Sequence, residues 1–333
     1  MKLARKKILV TGGAGFIGSH LVDALIQERC EVRVIDNFVN GKSENLAYHK
    51  QNRHFDLIKG DITKPSDAAK SLRNIDVVFH LACLGVRHSI QFPHENHRIN
   101  AEGTLVMLEK AYAAGVKRFI YCSSSEVYGT AQSVPMSEIH PTFPCTVYGA
   151  SKLAGEAYAR AYFRTHGFPT VIIRPFNTYG PRSHYEGNAG ELIPKSILRS
   201  LAGRPILICG NGTQTRDFTY VQDIARGFVE SAKHDEMVGQ TFNIGSQFEI
   251  SIKDVAEIVL RMSKNPASKI TFVQNRPGDV LRLFADATAF HRFTGWRPEV
   301  PLEAGLQRTI DWFKARPEKF SEMLSQERGL NWT

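Results

Sequence analysis

The chain has 333 residues, enough for one large domain or two closely joined ones, with 42% hydrophobic and 23% charged residues. No apolar run approaches the ~18 residues needed to cross a bilayer, and the start MKLARKKILVTGG turns into glycines too soon for a signal peptide. The net charge of +9 comes from scattered Lys and Arg, with no run of five and no aromatic–basic stripe. That pattern argues against a nucleic-acid surface and fits an anionic small substrate equally well.

In chain order, the first half alternates β-branched runs with amphipathic stretches, as a parallel sheet covered by helices requires. KKILVTG, CEVRVID, HFDLIKGD, IDVVFHLA, KRFIYCSSS and PTVIIRP are the expected strands. Helices are expected near 16–29, 64–72, 96–114 and 146–166. The second half is less regular: SHYEGNAGE reads as a loop, ELIPKSILRSLAG as a helix ending at Gly203, and SIKDVAEIVLRM as a helix capped by Ser251. With no linker or repeat, the expectation is a doubly wound α/β Rossmann-type domain over 1–175 and a smaller α/β substrate domain over 176–333. Some segments of the second half are expected to return to the first domain.

Two local patterns carry chemistry. ILVTGGAGFIGSHLVDAL places Gly12, Gly15 and Gly18 between a strand and a helix, where a pyrophosphate can approach backbone that lacks Cβ atoms and meet helix N-terminal N–H groups. About twenty residues on, Asp36 ends the second strand, where a carboxylate accepts from both ribose hydroxyls and repels a 2′-phosphate, favouring NAD over NADP. Asp61 follows the third strand and either reaches an adenine amine or caps the next helix; His80 ends the fourth strand, near the cofactor crevice or simply hydrogen-bonded. Tyr148 and Lys152 are four apart in VYGASKLAGEAYARAY, on one helix face, so that the ammonium can favour the phenolate.

The cysteines (Cys30, Cys83, Cys122, Cys145, Cys209) are odd in number and have no C-x-x-C pair, which suggests reduced thiols and a cytoplasmic protein. His88, His94 and His97 lack the companions of a zinc site, and no metal is expected.

Taken together, the glycine turn, Asp36, SSSEVYG, VYGASK, RPFNTYGPR and TRDFTYVQD closely resemble the extended short-chain dehydrogenase/reductases that remodel nucleotide-diphosphate sugars. That resemblance implies a tightly held NAD and a UDP-, dTDP- or GDP-hexose substrate. It implies roles for Ser124 as the hydroxyl that steadies a forming ketone, Tyr148 as base, and Lys152 on the nicotinamide ribose. Cofactor contacts are implied for Gly12, Gly15, Phe16, Ile17, Gly18, Asp36, Asn37, Asp61, Ile62, Leu81, Ala82, Asn100, Ser123, Tyr148, Lys152 and Pro175. Substrate contacts are implied for Ser124, Ser125, Asn177, Leu192, Arg216, Tyr220, Arg276 and Asp279. A homodimer formed through the helices at 96–114 and 146–166 is a further expectation from the resemblance.

Members of this family diverge after a shared oxidation at sugar C4, and Glu126 bears on the branch. In 4,6-dehydratases a glutamate here removes the C5 proton and a preceding aspartate protonates the leaving C6 hydroxyl; this chain has Ser125 in place of that acid. UDP-glucuronate decarboxylases carry an arginine where this chain has Cys145 and a second where it has Leu283, with Arg282 one position off. A 4-epimerase needs neither group. 4-Epimerisation is the leading expectation, then 4,6-dehydration with Glu126 as base, then decarboxylation; a non-catalytic NAD-binding protein is disfavoured by the intact Ser124, Tyr148 and Lys152.

Overall fold

A computed structural model describes residues 1–332. Its first half runs β1 (Lys7–Thr11), α1 (Phe16–Gln27), β2 (Glu31–Asp36), β3 (Phe55–Lys59), α2 (Pro65–Ser71), β4 (Val77–His80), α3 (Val86–Gln91), α4 (Pro93–His97), α5 (Gly103–Ala113), β5 (Arg118–Cys122), α6 (Val147–His166) and β6 (Thr170–Pro175). The strands form a parallel sheet in the order β3-β2-β1-β4-β5-β6, the doubly wound arrangement that right-handed crossovers produce. Every residue of β4, β5 and β6 is buried, so these strands read as continuous apolar runs. Alternation still sorts β1: Ile8 and Val10 pack on one face and Leu9 on the other.

The expected helix at 96–114 is instead α4 and α5 joined by a π turn at Arg98–Glu102. Helix α6 begins where expected because the Thr146 hydroxyl accepts from the Gly149 N–H at 3.2 Å.

The second half contributes β7 (Asn177–Tyr179), α7 (Leu192–Leu201), β8 (Ile206–Cys209), β9 (Thr215–Tyr220), α8 (Val221–Lys233), β10 (Thr241–Ile244), β11 (Glu249–Ser251), α9 (Ile252–Ser263), β12 (Ile270–Val273), α10 (Thr288–Thr294), α11 (Leu302–Lys314) and α12 (Phe320–Gln326). Strand β10 pairs in parallel with β6 as the seventh strand of the large sheet, and Phe228 of α8 and Phe290 of α10 join the core on one of its faces. The rest is a smaller body: β11-β9-β7 and β12-β8 packed by α7, α9 and α11 around Ile197, Val255, Ile310 and Phe313. Ser251 caps α9 as expected, its hydroxyl accepting from the Asp254 N–H at 3.0 Å. The carboxyl ends of β1, β2, β4 and β5 open toward this body.

Candidate active site

Between the two bodies lies a cavity of about 850 Å³. The glycine turn forms one end. Gly18 sits where a Cβ would lie 2.2 Å from the Gly12 carbonyl oxygen, so only glycine lets α1 begin this close to β1. Gly15, the N-cap of α1, supplies no side-chain cap, leaving first-turn N–H groups free beside the cavity. Asp36 is buried at the end of β2; its carboxylate accepts from Ala14 N–H at 2.9 Å and Phe38 N–H at 2.8 Å, while burial raises its pKa.

At the middle, β5 ends and three serines leave the strand. The Ser123 hydroxyl donates to the Glu156 carboxylate at 2.6 Å, and Arg174 donates to both oxygens of that carboxylate at 2.7 and 2.6 Å. The Ser124 hydroxyl accepts from the Glu126 N–H at 3.2 Å and lines the cavity together with Tyr148. What brings Tyr148 there is Gly149: a Cβ on it would stand 2.5 Å from the Glu126 carbonyl oxygen, so a side chain would push the start of α6 off the serine turn. Lys152 donates to the Cys122 carbonyl at 2.8 Å, and its ammonium lies 5.9 Å from the centre of the Tyr148 ring. Burial raises the Tyr148 pKa, while Lys152 and the Ser124 hydroxyl pull it down. The sequence suggests a net lowering; among this chain's own groups burial wins. Burial also works against the Lys152 charge, but Cys83, Tyr121 and Tyr148 hold its pKa well above the ordinary value.

The far wall belongs to the smaller body. Arg216 pairs with Asp279 at 3.0 Å, and Arg276 pairs with the same carboxylate oxygen. A loop through residues 183–191 roofs the cavity, pinned by Asn188 to Gln91 at 2.7 Å, by Glu186 to Lys42, and by the Gly190 carbonyl to Asn331 at 2.7 Å.

Of the residues expected at the site, the cavity gathers Gly12, Gly15, Phe16, Ile17, Gly18, Asp36, Asn37, Ile62, Leu81, Ala82, Ser123, Ser124, Ser125, Glu126, Tyr148, Lys152, Pro175, Asn177, Leu192, Arg216, Arg276 and Asp279. Three stand outside its lining. Asp61 spends its carboxylate on the Thr63 N–H and hydroxyl at 2.9 and 2.8 Å, closing the turn before α2. Asn100 turns its amide onto Leu84, accepting its N–H at 2.8 Å and donating to its carbonyl at 2.9 Å, and so shapes the loop after β4 from behind. Tyr220 is buried against Tyr179, with the Arg308 guanidinium over its ring. His80 is the hydrogen-bonded alternative of its two readings: it bridges Thr11 at 2.9 Å and Thr104 at 3.0 Å. Sequence reasoning missed Arg87, Glu191 and Lys195, which also line the cavity and belong to no motif.

Comparison with known proteins agrees with this geometry. The family model described as GDP-mannose 4,6 dehydratase matches residues 9–309. The chain belongs to the extended short-chain dehydrogenase/reductase family of nucleotide-sugar epimerases and dehydratases. UDP-glucuronic acid decarboxylase 1 of Xenopus tropicalis is 35% identical over 320 residues, covering 94% of this chain and 73% of the relative. Human dTDP-D-glucose 4,6-dehydratase is 33% identical over 344 residues, covering 98% and 94%. The Thermotoga maritima UDP-glucose 4-epimerase solved with UDP-glucose matches at a TM-score of 0.87 and 33% identity, covering 92% of this chain and 98% of that one. The Bacillus cereus UDP-glucuronic acid 4-epimerase solved with UDP-glucuronic acid and NAD matches at 0.87 and 35%, covering 92% and 99%. As a member of this family the chain is an enzyme of the epimerase and dehydratase kind. At such identities its relatives already span epimerases, dehydratases and decarboxylases. No helix among the described residues is long and apolar enough to cross a membrane.

Proposed function

We propose that the protein is an NAD-dependent nucleotide-sugar 4-epimerase working through a transient 4-keto sugar. The observation that carries the reading is the meeting of Tyr148, Ser124 and Lys152 in the middle of one cavity, with the glycine turn at one end and paired arginines along the far wall. The glycine end fits a dinucleotide: the uncapped start of α1 would receive a diphosphate, Gly18 keeps the approach clear, and Asp36 suits a ribose diol. When bound, NAD supplies a reversible hydride acceptor for sugar C4.

Everything else falls to the chain's own residues. Tyr148 takes the proton of the C4 hydroxyl and returns it on the reverse step. Burial raises its pKa, and the ammonium of Lys152 and the Ser124 hydroxyl oppose that rise without overcoming it. Ser124 steadies the oxygen as it becomes a ketone. Arg216 and Arg276 offer planar forks to the substrate diphosphate. Inversion follows if the keto sugar turns over beneath the 183–191 loop before hydrogen returns to its other face. The substrate class is a UDP-, dTDP- or GDP-hexose.

A second reading, 4,6-dehydration, draws on one observation: the Glu126 carboxylate lines the cavity with no hydrogen-bond partner among the described residues, as a C5 base would. Decarboxylation has less support. Cys145 is exposed, and Arg282 is held on Glu249 at 2.6 and 2.7 Å, outside the cavity lining. We also read residues 1–175 as the dinucleotide domain and most of 176–333 as the substrate domain. The five free thiols suit a cytoplasmic protein, and the partly exposed Leu105 and Tyr112 of α5 suit a homodimer interface.

The test is turnover of UDP-, dTDP- and GDP-hexoses followed by NMR and mass. Inversion at C4 without mass change supports epimerisation, and loss of water indicates dehydration. Tyr148→Phe lowers kcat by about 10³, within the range of general-base catalysis. Near-normal turnover by that variant would overturn the mechanism.

A further inference from the structure

Three charged side chains of the cavity wall, Arg87 of α3, Glu126 of the turn after β5 and Glu191 just before α7, have no hydrogen-bond or ion-pair partner among the described residues. Most of the cavity's other cations are engaged. Arg216 and Arg276 sit on Asp279, Lys195 and Arg199 on Glu327, Lys42 on Glu186, and Lys152 on the Cys122 carbonyl. The three unpaired groups nevertheless form one cluster: Arg87 interacts electrostatically with both glutamates, and Glu191 with both Arg87 and Glu126. None of these pairs is within ion-pair distance, and all three residues line the one cavity. Glu126 is only 9% exposed, and Asn177 in the same cavity wall has a buried Oδ1 without a partner. Buried polar atoms left unpaired are costly, so such a set is completed by what binds there.

We propose that Arg87, Glu126 and Glu191 form the subsite that reads the sugar ring, and that together they select a neutral hexose over a uronic acid. This inference rests on the nucleotide-sugar reading above. It takes the subsite to be the sugar's because the Glu126 N–H donates to the Ser124 hydroxyl at 3.2 Å, and Glu126, Ser124 and Tyr148 line the same cavity. Each hydroxyl of a neutral hexose both donates and accepts, so the ring can donate to two carboxylates and accept from one guanidinium. A uronate carboxylate only accepts. It would gain Arg87 and meet two like charges in a confined, poorly screened space. Burial raises the Glu191 pKa, and Arg87 and Arg276 oppose that rise, so the charge of this carboxylate depends on the two guanidiniums near it.

The test is calorimetric titration of the NAD-loaded full chain with UDP-glucose and with UDP-glucuronic acid, whose nucleotides are identical. UDP-glucose binds at least about tenfold tighter. Glu191→Gln, which keeps the shape and removes one negative charge, narrows the ratio to about threefold or less, and Arg87→Met widens it. Retained NAD reports that each variant is folded. Equal affinities, tighter UDP-glucuronic acid, no binding of either, or a ratio unmoved by Glu191→Gln would overturn the proposal. The ratio is read without turnover, so failure of the C4 mechanism shows separately, as activity surviving in Tyr148→Phe.

Discussion

On the sheet side of the cavity Asp36 and His80 are fixed by backbone and by neutral partners, whereas on the side of the smaller body Asp279 and Glu327 are fixed by opposite charge. Asp36 is held by two backbone N–H groups and His80 by two threonine hydroxyls. Across the cavity, Asp279 is shared by two arginines and Glu327 by Lys195 and Arg199. The first construction is stiff: an N–H of the chain cannot move without moving the fold. The second can exchange partners, because an arginine released from a carboxylate finds an equivalent acceptor in a phosphate. One wall therefore suits a ligand that stays and the other a ligand that comes and goes.

The comparison is broken most severely at Gly18. An alanine there puts a methyl group 2.2 Å from the Gly12 carbonyl oxygen, and backbone rather than a flexible side chain must yield. Gly18→Ala is expected to cost about 3 kcal/mol, the upper end of overpacking costs. Purified protein would then lose its dinucleotide, read as a lower denaturant midpoint and a falling ratio of absorbance at 260 to 280 nm. An unchanged midpoint would mean that the turn has more slack than its geometry allows.

The same contrast explains what the sequence makes legible. Gly12, Gly15, Gly18 and Asp36 act through local backbone geometry, and a local rule needs only a few neighbouring letters. Tyr148 and Lys152 act through helix spacing, again local. Arg87 and Glu191 have no such mark, since their role depends on segments about a hundred residues apart meeting across a cavity. Lys195 finds Glu327 only through the packing of α12 on α7. Asn100 shows the reverse case: the family pattern points to the site, while its amide closes on Leu84, outside the cavity lining. Helix α11 carries a local mark too, for Leu306, Ile310 and Phe313 recur at helical spacing and are fully buried.

A milder test touches the charged wall. Arg216→Met removes one fork while Arg276 keeps Asp279 neutralised. If Arg216 exchanges its carboxylate for a substrate phosphate, KM for the nucleotide sugar rises about tenfold, or about 1.4 kcal/mol, with kcat within about twofold. If KM does not move, Arg216 is only Asp279's partner, and the idea of an exchangeable wall fails.

The smallest effect sharpens the other side. His80 is buried between two hydroxyls, and burial first, with Lys152 second, lowers its pKa to about 3. An unfolded histidine titrates near 6.5, so between these values the unfolded chain binds a proton that the folded chain refuses. The folded pKa is depressed, hence stability is full above about pH 6.5 and declines as pH falls. By pH 5.5 this one residue accounts for a loss of about 1.4 kcal/mol. His80→Gln keeps a polar side chain at the end of β4 but cannot titrate. The variant starts less stable at pH 7.5, having lost fitted hydrogen bonds, yet its urea midpoint should fall less steeply toward pH 5.5 than that of the parent. Parallel pH curves would mean that His80 is protonated in the fold, and the end of β4 would then be held by a charge rather than by neutral hydroxyls.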